Sequence, residues 1–187
     1  MDFGDVGGNC VYFMALQSAD PLEPRRGRGD GPNIAALIAR AYDKAISLAP
    51  SPALAAAPDA VGVTGLDTYV WAEKGLGPIT ATAAAGGITV TAEAAVVEYR
   101  WDFGDGGHRV TDHPGRPFRL TGNGYVPGDI DHLYETRGTY TLAAEAVWSA
   151  RYRINDGPWQ ALGYFSTTDD RDYPVRQVVP VLTRSRR

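Results

Sequence analysis

The chain has 187 residues, of which 44% are hydrophobic, 22 are glycine and 13 are proline. That is room for one domain, or for a modest domain with an ordered arm, and the turn residues suit β structure. A formal net charge of −4 excludes wholesale nucleic-acid binding, which needs a basic face, and 21% charged residues excludes a highly charged disordered tail.

Residues 1–32 read as an irregular arm. The start, Met1-Asp2-Phe3-Gly4-Asp5, has no basic n-region, and the apolar run at 11–16 is short for an h-region, so no signal peptide is recognisable. The single cysteine, Cys10, permits no internal disulfide. Pro21, Pro24 and Pro32 with the Arg/Gly tract at 25–31 mark a charged linker, in which Arg28-Gly29-Asp30 spells an adhesion tripeptide of the kind such tracts produce by chance. Asn33 then reads as an N-cap, and Ile34, Leu37, Ile38, Ala41, Tyr42, Ala45 and Ile46 recur at helical spacing. So short a helix needs a surface to bury its stripe against, on its own sandwich or on another subunit. Pro50, Pro52 and Pro58 end it, and residues 53–57 read as a low-complexity spacer, closing a helix-plus-spacer segment at 33–60.

From about residue 61 the period becomes two, and the β region is expected to run from 61 to 187. A first strand is predicted at 68–72. A hairpin of 79–85 and 88–94 is predicted around Gly86-Gly87, and a half-buried strand where Val97, Tyr99, Trp101 and Phe103 alternate with polar residues. The longest strand follows Gly138, with Tyr140 to Ile154 holding one parity. Asn155-Asp156-Gly157-Pro158 is a turn, 159–165 returns antiparallel, and 175–182 is a closing strand whose Pro180 suits an edge. Arg184, Arg186 and Arg187 make a basic tail. No apolar run approaches the ~18 residues that a membrane span requires.

The most informative stretch is Trp101-Asp102-Phe103-Gly104-Asp105-Gly106, followed by His132-Leu133-Tyr134 and Gly138-Thr139-Tyr140-Thr141-Leu142. Trp101 and Phe103 are expected between sheets, the glycines to permit a sharp turn, and Asp102 and Asp105 to accept turn amides. Tyr134 has the place of a tyrosine corner, its hydroxyl tying down a connection. Together these segments resemble the signature of PKD domains. The resemblance covers about the last two thirds of the chain and implies an all-β, immunoglobulin-like sandwich behind an N-terminal arm and one helix. It implies a non-catalytic module of the secreted space or cell envelope. The acidic turn that often precedes the motif is absent, which weakens any calcium inference, and the loop at 108–131 is long. The Ala/Pro-rich lead also resembles that of actinobacterial secreted proteins.

No catalytic constellation accompanies the motif. Asp102-Phe103-Gly104 matches a kinase triplet in letters alone, and no nucleophile elbow or Cys/His pair is present. His108, His113 and His132 with Asp112, Asp129 and Asp131 suit zinc by type but fit no compact ligand spacing, so no metal and no cofactor is expected. The set Arg151, Arg153, Trp159, Tyr164 and Phe165 lies on a hairpin that overruns a minimal sandwich, and Arg and aromatic residues are enriched in binding hot spots. It stands against the alternative of aromatics capping a core beside solvated arginines. The expected function is a structural or protein-interaction module. The alternatives are a carbohydrate-binding accessory, read from Trp71, Trp148, Trp159 and Tyr164, and a subunit of a polymeric assembly, read from the helix stripe.

Overall fold

The computed structural model describes residues 31–73 and 75–178; Cys10, Arg28-Gly29-Asp30, Pro180 and the basic tail lie outside them. The elements are α1 (Ile34–Leu48), β1 (Leu54–Ala57), β2 (Gly62–Val63), β3 (Asp67–Ala72), β4 (Ile79–Ala85), β5 (Ile88–Asp102), β6 (His108–Thr111), β7 (Arg119–Thr121), β8 (Gly124–Val126), β9 (Asp131–Leu133), β10 (Gly138–Ile154) and β11 (Gln160–Arg176). The fold is all-β with one helix. One sheet has the order β1-β3-β9, a second the order β2-β11-β10-β5-β4 with β6 also on β5, and β7 pairs with β8. The chain forms two compact units, and β5, β10 and β11 each contribute residues to both.

The first described unit holds α1, β4, the start of β5, the end of β10 and the start of β11. Asn33 caps the helix, its side-chain oxygen accepting from the Ala36 amide at 3.0 Å. Leu37, Ala41 and Ala45 are buried, four residues apart, and pack with Ala81 of β4 and Val90 and Ala92 of β5. Small residues on both sides let helix and strands approach closely. The centre of the helix stripe is therefore covered by strands of its own chain, while Ile34 at its start is exposed. Gly86 and Gly87, at φ 54° and 78°, make the tight β4–β5 turn, and register runs unbroken from Ile79↔Ala94 to Ala85↔Ile88. Trp148 is fully buried, stacks on Phe165 at 5.9 Å and donates its indole N–H to Thr167 Oγ1 at 3.0 Å. Thr167 in turn donates to the Pro50 carbonyl at 2.9 Å, tying down the chain that leaves the helix.

The second unit is the sandwich. β3 pairs antiparallel with β1 and with β9, and the second sheet supplies β2, β6 and the remaining parts of the long strands. Val70, Trp101, Ile130, Tyr134, Leu142 and Tyr173 are among its fully buried side chains. Gly62 of β2 is where a close approach requires glycine, since a Cβ there would lie 2.7 Å from the Tyr173 ring.

Four expectations change. The spacer at 53–57 contains β1, whose Leu54, Ala55 and Ala56 are all buried; covered on consecutive positions, it carries no alternation. The strand expected first, at 68–72, is thus the third. The run at 88–94 and the run from Val97 to Asp102 form one strand, β5, in which the buried parity shifts from Val90, Ala92 and Ala94 to Tyr99 and Trp101, with Phe103 just beyond its end. One residue of slip flips every side chain to the other face, which makes one strand look like two. Finally, Val175 and Arg176 do not begin a closing strand but end β11, which runs without interruption from Gln160.

Candidate functional site

The turn after β5 is organised by its own side chains. Asp102 Oδ1 accepts the Gly104 amide at 2.8 Å and Asp105 Oδ1 accepts the Gly107 amide at 2.9 Å. Gly104 and Gly106 have φ of 76° and 94°. Phe103 is buried, and its carbonyl accepts the Tyr134 hydroxyl at 2.9 Å. The His132 ring lies flat on Phe103 with centroids 4.1 Å apart, stands edge-on to Tyr134, and reaches Asp105 Oδ2 through Nε2 at 2.7 Å. Tyr140 stacks on Tyr134 at 4.7 Å and donates to the Thr136 carbonyl. Trp101 donates to Thr111 Oγ1 at 3.0 Å. The structure thus gathers Phe103, Asp105, His132, Tyr134 and Tyr140 into one cluster, with Gly138 against the Tyr140 ring and Asp102 exposed at the turn.

Electrostatics fit a locked connection. Burial alone raises the Asp105 carboxyl, but the Gly107 amide and the His132 ring outweigh it and hold that carboxyl below the usual carboxylate range. Burial, with the Asp105 charge adding to it, pushes the Tyr134 phenol far above the usual tyrosine range, so it stays a donor. The cluster fixes backbone.

Several other acidic and basic groups of this unit pair with one another. Asp129 accepts from the Arg116 amide and guanidinium at 2.6 and 3.0 Å, and Arg109 meets Asp131 at 3.2 Å. An open cleft of about 500 Å³ is lined by Arg100, Asp102, His108 and Glu145, but Arg100 is engaged by Glu98 at 2.6 Å and Glu145 at 3.4 Å. Among the described residues no group of three or more His, Cys, Asp or Glu is placed to hold a metal ion. The long loop at 108–131 carries β6 and the β7–β8 hairpin, whose residues are exposed at both strands. Stacking of Tyr69, Phe118 and Tyr125 supports that hairpin.

The second constellation belongs to the β10–β11 hairpin. Arg151 and Arg153, two residues apart on β10, both lay their guanidinium groups over Trp159, at 4.6 and 4.9 Å from the ring centre. Arg151 Nε also donates to Glu93 Oε1 of β5 at 3.0 Å. Tyr164 is 67% exposed, and among the described residues no ring pair joins it to Trp159. Phe165 turns inward to Trp148. So Arg151, Arg153 and Trp159 come together, Tyr164 stands apart, and Phe165 belongs to the core. Glu93 escaped the sequence reading. Fifty-eight residues separate it from Arg151, and only its place on the outward parity of 88–94 hinted at it.

No curated protein and no solved structure matches the chain, so no relative carries the likeness to actinobacterial secreted proteins. Residues 68–147 match the family model of the PKD domain, and over that stretch the chain carries a PKD domain.

Proposed function

We propose that the protein is a non-enzymatic structural and protein-interaction module of the extracellular space or cell envelope, and that it meets its partner through the β10–β11 hairpin. PKD domains are non-catalytic, immunoglobulin-like modules typical of extracellular proteins. Among the described residues no helix is long and apolar enough to cross a membrane. One observation carries the choice of surface: Arg151, Arg153 and Trp159 form a single stacked cluster, and all three lie outside the matched stretch of 68–147. What a module adds to its family's frame is where its own specificity belongs. The cluster is held in place before any partner arrives, which lowers the ordering cost of binding.

The two other readings find less support. A sugar platform loses Trp148 to the core and finds Trp159 already overlaid by two guanidinium groups. The polymeric-assembly reading drew on the apolar stripe of the helix, and strands of the same chain cover its Leu37, Ala41 and Ala45. The test is affinity capture from secreted and envelope fractions by the intact protein and by Arg151→Ala, Arg153→Ala and Trp159→Ala. The expected result is a partner retained by the intact chain and depleted by Trp159→Ala. Equal recovery by all four proteins overturns the hairpin assignment.

A further inference from the structure

The Arg151–Arg153–Trp159 cluster has an unbalanced charge. Two guanidinium groups share one ring, yet one carboxylate, Glu93, serves the pair, and it serves Arg151. Among the described residues no ion pair joins Arg153 to Asp156 at the hairpin tip or to another carboxylate, and its Nε is buried without an acceptor. The surplus positive charge lies on a molecule whose formal net charge is −4, so it is local rather than part of a basic face. The guanidinium groups already occupy the indole, which leaves charge and fork geometry, not an open aromatic face, as the means of recognition.

We propose that Arg153 is an anion receptor that takes a carboxylate from an acidic segment of a partner protein, with Arg151 and Trp159 holding its guanidinium in position. This rests on the reading of the hairpin as the partner surface. A carboxylate presents two oxygens to a planar guanidinium in the geometry it binds best. Trp159 restrains the long side chain, so less freedom is lost when the bond forms. Glu93, by engaging Arg151, keeps the neighbouring cation from competing for the same group.

The test uses the full ¹⁵N-labelled chain and hexaglutamate as the probe, at fixed ionic strength, following the Arg153 Nε–H and Trp159 Nε1–H resonances. The expected result is a saturable shift of both, with apparent affinity at least about tenfold weaker in Arg153→Gln and only partly restored in Arg153→Lys, which keeps the charge but not the fork. Arg109→Gln, whose wild-type side chain is paired with Asp131, should leave the titration unchanged. Absence of a saturable shift overturns the proposal. So does saturation by polygalacturonate or inorganic phosphate at lower concentration than hexaglutamate, which would assign the site to an acidic polysaccharide or to a free anion. If partner capture depends on Trp159 while hexaglutamate fails, the receptor is wrong and the hairpin surface survives. If capture ignores all three alanine variants, the surface itself falls.

Discussion

Gly104 has φ of 76°, and a methyl group added there would lie 2.6 Å from the Thr141 carbonyl oxygen. Gly106 has a similar backbone at φ 94° but faces open space, with nothing within 4 Å. The two glycines therefore separate strain from collision. Gly106→Ala should cost ~1 kcal/mol, the strain of a left-handed residue alone, whereas Gly104→Ala should cost ~3 kcal/mol or more because a backbone atom must move. Urea unfolding of the two variants at an unchanged slope measures the difference, and equal losses would overturn the assignment. At this scale the motif was legible: aromatic, glycine and aspartate spacing announced a strand and turn. The clamp of His132 on Asp105 was not, because 27 residues separate partners that only the fold brings together.

Among the elements, β10 is the most readable and β1 the least. From Leu142 to Ala150 every second residue of β10 is buried, so a single parity runs through the sequence as it runs through the strand. β1 is alanine-rich, lacks β-branched residues and is buried on consecutive positions, so both propensity and alternation are silent. The largest buried side chain of β10 is Trp148, stacked on Phe165 and hydrogen-bonded to Thr167, which continues the bond to Pro50. Trp148→Ala should lose ~3–5 kcal/mol, and Trp148→Phe less, since it keeps the stack and gives up the N–H. Chemical denaturation checks both. Similar losses for the two would mean that the hydrogen bond to Thr167, rather than the buried ring, dominates.

At the scale of the whole molecule, two carboxyls among the described residues, Asp105 and Asp129, are held below their usual range. For each, burial pulls upward and is outweighed, at Asp105 by the Gly107 amide and His132, at Asp129 by the amide and guanidinium of Arg116 and by His113. A carboxyl whose folded pKa lies below its unfolded value of ~3.9 stabilises the fold fully above that value and loses the contribution as pH falls through the folded one. Stability should therefore decline in acid below about pH 4. Asp105→Asn should flatten that decline while lowering the plateau near neutrality, as read from urea midpoints against pH. An unchanged acid slope in the variant would remove Asp105 from the account. Such whole-molecule effects are the part least visible in the sequence, since composition reports net charge and not which charges meet.

Helix α1 stands on β4, the end strand of its sheet, and β4 carries no charge and no proline. Edge strands of that composition are ready templates for pairing with other chains. The stretch that identifies the family, 68–147, contains β4 but neither α1 nor β11. A fragment trimmed to the family boundaries would expose the alanine and valine face of β4 and β5 that the helix covers, and would lack the strand that supplies Phe165 and Tyr173. The recognisable segment and the segment that covers its own apolar faces are therefore different lengths of chain, and a fragment cut at 68–147 should aggregate where the longer chain does not.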